Sequence, residues 1–170
     1  MASEINLNNN GLEEYPWSVV IMENLEIAVW IFLGTFLIAG LSEKLGIVYL
    51  STALLMILVI MRKLLCTRCY YYGKRCHVGW GKISAAFFKQ GDISEFSACA
   101  GSKIAPVFFG LLALVPILSG AIVMFKNPSL TNGIALFLLL AAVIHSSVFS
   151  RKKSCGQCKM NLVCPASAAK

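Results

Sequence analysis

Four apolar runs, arranged as two close pairs, set the pattern of this chain. Residues 25–41 and 45–61 are separated by Ser42, Glu43 and Lys44, and residues 104–125 and 130–149 by a short segment around Asn127, Pro128 and Ser129. Each run approaches the roughly 20 residues that a helix needs to cross the hydrocarbon of a bilayer. The short breaks between partners predict two antiparallel transmembrane hairpins. Four spans put the two chain ends on the same side of the membrane.

The rest of the chain falls around those hairpins. Residues 1–24 form a polar to amphipathic opening segment whose first part, through Asn8, Asn9, Asn10 and Gly11, reads as loosely ordered. Tyr15, Pro16 and Trp17 suit a membrane interface. The first hairpin covers residues 25–65, a Cys-rich loop 66–103, the second hairpin 104–150, and a Cys-rich tail 151–170. Within the loop, Ile83, Phe87 and Phe88 predict a short helix on the membrane surface, and Asp92 or Ser94 is placed to cap a second one. Tyr70, Tyr71, Tyr72 and Trp80 read as an interfacial aromatic belt. Pro116 lies near the middle of the third span. It removes a backbone donor there, which predicts a kink and a carbonyl left for a neighbouring helix or water.

Composition agrees with a lipid-embedded chain. Of 170 residues, 58% are hydrophobic and 14% charged, with a mean hydropathy of +0.74. A water-soluble globule of this size would not hide so much apolar surface. The formal charge of +7 does not point to nucleic acid, because of where the cations lie. Eight of the 15 Lys and Arg residues fall between Arg62 and Lys103, five between Arg151 and Lys170, and only Lys44 and Lys126 at the two hairpin turns. That asymmetry predicts a cytoplasmic loop, tail and N-terminus, in the plasma membrane of a prokaryote. Residues 1–24 contain Glu4, Glu13, Glu14 and Glu23 but no Lys or Arg, unlike a cleavable leader. The expected partners are the lipid bilayer and a membrane-associated protein, not nucleic acid.

Six of the seven cysteines form two compact groups. Cys66 and Cys69 are followed by Cys76 and His77, and Cys155 and Cys158 by Cys164. On a reducing face such groups bind metal or carry out thiol redox chemistry more often than they form structural disulfides. A Cys-x-x-Cys turn directs two sulfurs at one centre, and two turns supply the four soft ligands of a tetrahedral site. Each pair follows closely on the end of a span, at similar depth on one side. The expected ligands are therefore Cys66, Cys69, Cys155 and Cys158 around zinc or an iron–sulfur cluster, with Cys76, His77 and Cys164 in reserve. Arg68, Lys74, Arg75, Lys152, Lys153 and Lys159 near the sulfurs are expected to lower thiol pKa values. Cys99 stands alone and reads as structural.

Other chemistry is sparse. His145 reads as hydrogen-bonded to Ser146 or a nearby carbonyl, and Glu26 as an interfacial carboxylate. No ionisable ladder is visible in the spans, and no phosphate loop, dinucleotide fingerprint or Ser-His-Asp set is present. Four spans with paired cysteines resemble the vitamin K epoxide reductase family and the bacterial mercury-uptake proteins in plan only. Cys155 and Cys158 lie beyond a basic stop sequence, residues 25–41 contain no Cys, and neither family is assigned. The fold expected is an all-α, four-span transmembrane helical bundle with a cytoplasmic Cys-rich cap. Its expected role is a membrane anchor, scaffold or electron relay. The alternatives are a membrane thiol-disulfide oxidoreductase and a protein that transports or handles heavy metals.

Overall fold

The computed structural model describes residues 6–169. The part of the expected loose N-terminus that falls on residues 1–5, and Lys170 of the tail, lie outside the described residues. Among the described residues the structure is all helical, with no strand. Four helices are long and apolar enough to cross a membrane: α1 (Trp17–Ala39), α2 (Glu43–Arg68), α4 (Ala100–Lys126) and α5 (Leu130–Gly156). A short helix, α3 (Trp80–Phe87), lies in the loop between the hairpins. A single 3-10 turn, Ile93–Glu95, follows it, opened by Asp92, whose carboxylate accepts from the Ser94 N–H at 2.8 Å.

The membrane helices extend past the apolar runs at the end that carries the loop and both termini. α1 begins at Trp17, directly after Pro16, whose fixed φ suits entry into a helix. Val19, Val20, Ile21 and Met22 then give it an apolar surface ahead of residue 25. α5 likewise continues through its basic residues to Gly156. At the opposite end the turns are tight. Ser129 caps α5 by accepting from the Asn132 N–H at 3.2 Å.

α1 packs against α2, α4 and α5, and α4 likewise meets the other three spans. One core layer joins Ile31 of α1 to Ala53, Ile57 and Met61 of α2, Trp80 of α3, and Ala105 and Leu112 of α4. A second joins Trp30 and Leu37 of α1 to Ala135 and Leu139 of α5. Phe32, Phe125 and Phe137 point outwards, the pattern of helices solvated by hydrocarbon rather than water.

The expected consequence of Pro116 is visible inside this packing. A proline at 116 has no N–H to offer the carbonyl of Leu112, one turn back. Tyr49 of α2 supplies the missing donor, its hydroxyl reaching the Leu112 oxygen at 3.0 Å. Two residues of different hairpins thereby close a backbone vacancy that lipid would leave open.

A candidate thiol site at the loop end of the bundle

Both Cys-x-x-Cys motifs adopt the same local form, one helical turn closed at the end of a span. The Cys69 N–H donates to the Cys66 carbonyl at 3.3 Å, and the Cys158 N–H to the Cys155 carbonyl at 3.2 Å. The two turns come together through a third segment. Residues 8–15, expected to be partly disordered, form an ordered strap between them. The Asn8 and Leu12 N–H groups donate to the carbonyls of Lys159 (2.9 Å) and Gln157 (2.8 Å), and the Tyr15 N–H to that of Arg75 (3.0 Å). Asn8 Nδ2 also reaches the Cys158 carbonyl at 3.3 Å. Gly11 lies so close to the tail that a Cβ there would sit 2.7 Å from the Lys159 nitrogen.

The tyrosines bind this assembly and do not form the expected belt. Tyr15 and Tyr71 are 1% and 2% exposed. The Tyr71 hydroxyl donates to the Leu12 carbonyl at 2.7 Å and accepts the Lys159 N–H at 3.1 Å, while Tyr15 donates to the Ser154 carbonyl at 2.7 Å. Tyr72 bonds to the Phe88 carbonyl at 2.7 Å. Trp80 is likewise buried in the core. The loop folds back tightly here because Gly81 carries no side chain; a Cβ would lie 1.9 Å from the Tyr71 oxygen.

Around the Tyr15–Val20–Tyr71 core pack Cys69, Cys76 and Cys158. Cys76 also packs against the neighbouring layer that contains Cys66 and Trp80. Cys76, a reserve ligand from the sequence, is therefore the thiol that joins the two environments. Cys155 and Cys164 lie within electrostatic reach of Cys158. No disulfide links the described cysteines. Among the described residues no three His, Cys, Asp or Glu side chains are gathered closely enough to hold a metal ion. His77 stands beside Tyr15, ring centroids 6.0 Å apart, and the charges that act on it are Glu23 and Arg151. Burial lowers its pKa, Glu23 opposing and Arg151 assisting. Cys99 is buried at the start of α4, where the Ser102 hydroxyl donates to its carbonyl at 2.8 Å.

Four of the cations expected to act on the thiols are claimed by carboxylates. Arg68 pairs with Glu95 at 2.9 Å, Arg75 with Glu14 at 2.6 Å, and Lys159 with Glu13 at 2.9 Å. Lys74 shares Glu13, at 3.5 Å. Burial instead pushes the Cys69 thiol well above its ordinary value; the Tyr71 N–H opposes this, and Cys76, Cys66 and Cys158 add to it. Burial likewise raises Cys158 to about 11, against the Met160 N–H and with help from Cys155, Cys164 and Cys76. Desolvation is the largest influence on both thiols. Fully buried Ser84 lies near the Cys66 sulfur without a well-formed hydrogen bond, leaving its hydroxyl oxygen unpartnered. A neutral thiol is a weak acceptor for that hydroxyl, whereas a thiolate, bare or bound to a metal, is a stronger one.

A polar seam beneath the site escaped the sequence reading. His145 Nδ1 meets Glu26 Oε1 at 2.9 Å, so its partner is a carboxylate of α1, not Ser146. Glu23, one turn earlier on α1, accepts from the hydroxyls of Ser150 and, at 3.3 Å, Ser154. The π-helical turn His145–Ser150 carries His145 and Ser150 of this seam, and Ser154 follows one turn on. The spacing of Glu23 and Glu26, three residues apart on one helix face, was the available signal.

The fold defines a class: an all-helical protein with four candidate membrane spans in two hairpins, its cysteines gathered at the end that carries both termini. No family model, curated protein or solved structure matches the chain.

Proposed function

We propose that the thiols of the loop and tail form a metal–thiolate centre, zinc or an iron–sulfur cluster, which fastens two transmembrane hairpins together on the cytoplasmic side. The observation that carries this reading is the gathering of Cys69, Cys76 and Cys158, from segments far apart in sequence, around one tyrosine core, with Cys66 in the adjoining layer. Cys66, Cys69, Cys76 and Cys158 are the preferred ligands, and Cys155 and Cys164 the reserve. The cytoplasmic orientation rests on the thirteen Lys and Arg residues at this end against two at the other.

The thiol environment favours metal over disulfide exchange. An attacking thiolate works best with a pKa near ambient pH. Burial raises Cys158 to about 11, so the neutral thiol, a poor nucleophile, dominates near neutral pH. A bound cation changes this balance, because coordination deprotonates the thiol outright. With zinc the centre is architectural, presenting a basic face to lipid or to a membrane-associated partner. With an iron–sulfur cluster it makes the protein an electron relay anchored in the membrane.

Metal analysis of protein purified aerobically and anaerobically tests this reading. About one zinc per chain, or brown protein containing iron and sulfide, supports it. Cys66→Ser and Cys158→Ser should lose metal while Cys99→Ser keeps it. Metal-free protein in both preparations, with a reversible Cys-x-x-Cys disulfide, would overturn the proposal in favour of thiol redox chemistry.

A further inference from the structure

Between α1 and α2 runs an apolar groove of about 360 Å³, lined by Ile27, Ala28, Ile31, Phe32, Leu54 and Leu58 among others. At its loop end it is lined by Asn24, Arg62 and Trp80. Arg62 lies nineteen residues after Glu43, about 28 Å along α2 at roughly 1.5 Å per residue. One hydrocarbon thickness is about 30 Å, so its charge sits at the level of the lipid phosphates. The groove's reach along α2, from Leu50 to Arg62, is about 18 Å, close to the roughly 15 Å of one leaflet.

Among the described residues Arg62 has no carboxylate partner. Its guanidinium lies 5.7 Å from the Trp80 ring centroid, and its buried Nε makes no hydrogen bond. Arg68, Lys74 and Arg75 of the loop pair with Glu95, Glu13 and Glu14; Lys82, Lys89 and Lys103 have no ion pair among the described residues either, but of the basic residues Arg62 alone lines this groove. An uncompensated cation at the head of an apolar, membrane-facing groove calls for an anion that carries its own hydrocarbon chain. Asn24 is already engaged with the carbonyls of Val20 (2.7 Å) and Val78 (2.9 Å), which leaves Arg62 as the group to meet a phosphate.

We infer that this groove is a binding site for one anionic phospholipid of the loop-side leaflet, with an acyl chain along Ile31 and Leu54 and the phosphate against Arg62. The site is independent of any metal centre. Zwitterionic phospholipid also carries a phosphate, but its choline brings a second cation to Arg62, so the site should discriminate by net headgroup charge.

Native mass spectrometry of the whole protein, with added phosphatidylglycerol or chain-matched phosphatidylcholine, tests this. Wild-type protein should retain one phosphatidylglycerol and gain thermal stability from it, with phosphatidylcholine bound at least about fivefold more weakly, the effect of one basic residue near a lipid surface. Arg62→Gln should abolish the discrimination, and Ala28→Trp, from an exposed position, should block both lipids. Equal retention of the two lipids by wild-type protein would overturn the inference. So would an Arg62→Gln variant that keeps the preference but loses metal, since Arg62 would then serve only Cys66 and Cys76, which lie within its electrostatic reach.

Discussion

Replacing Tyr71 by phenylalanine removes one oxygen where three distant segments meet. The ring still fills its buried place, so packing is conserved. The Leu12 carbonyl loses its donor at 2.7 Å and the Lys159 N–H its acceptor at 3.1 Å. A buried group left without a partner costs about 1–3 kcal/mol. Both bonds are only partly buried, so the lower part of that range applies to each, about 2–3 kcal/mol together. The loss falls on docking of the strap to the tail, not on the spans. Hydrogen exchange of the Asn8 and Leu12 amides, which donate to Lys159 and Gln157, reads that docking directly. At 1.4 kcal/mol per factor of ten, their protection should drop by about 30- to 150-fold, while amides within α1, α2, α4 and α5 stay unchanged. Tyr72→Phe, which removes a bond to Phe88 only, is the control and should leave both amides protected. Should Tyr71→Phe change Asn8 and Leu12 protection by less than about threefold, the strap is held by something other than this hydroxyl and the reasoning fails.

Three further outcomes are expected. Gly11→Ala should release the same strap, because the new Cβ would meet backbone atoms of Cys158 and Lys159 at 2.7–2.9 Å; wild-type exchange in residues 8–12 would contradict this. Tyr49→Phe should cost about 1–2 kcal/mol of unfolding free energy in mixed micelles, and close to nothing in a Pro116→Ala background, where the alanine's own N–H serves the Leu112 carbonyl; equal costs in both backgrounds would show that Tyr49 is not the proline's substitute donor. Glu13 is held down to about 2, against an ordinary 4.5, first by the Tyr70 hydroxyl and then by Lys159, so the docked strap binds fewer protons than the released one. Docking should therefore be fully favoured above about pH 4.5 and weaken as pH falls towards 2, measured as Leu12 protection relative to the intrinsic rate, and Glu13→Gln should flatten that dependence.

The parts of this structure legible in the sequence are those that lipid dictates. An apolar run must be about one bilayer long and must bond its own backbone, so four runs and two short breaks define four helices and the side on which each cysteine emerges. The same constraint announced that Pro116 would need an outside donor, although which residue answered was hidden until α2 packed beside α4. Lateral neighbours are harder, because span length fixes depth and says nothing about azimuth. His145 and Glu26 share a depth, yet their pairing depends on α1 packing beside α5. The strap was illegible for another reason: residues 8–11 carry little apolar surface and look disordered by composition. Their order comes from the Asn8 N–H and side-chain amide and the adjoining Leu12 N–H, which donate to the carbonyls of Lys159, Cys158 and Gln157, roughly 150 residues away. Proximity along the chain also misled at the thiols. Arg68, Lys74 and Arg75 adjoin cysteines in sequence, but the carboxylates of the strap and of Glu95 claim them, and desolvation then governs Cys69. Cys76 shows the same limit from the other direction. Its spacing from Cys69 marks it only as a third thiol, whereas the close fit of Gly81 against the Tyr71 carbonyl folds the loop tightly enough to bring it between the two cores. The glycine that makes the turn possible carries no thiol chemistry at all, which is why a search for ligand motifs passes over it.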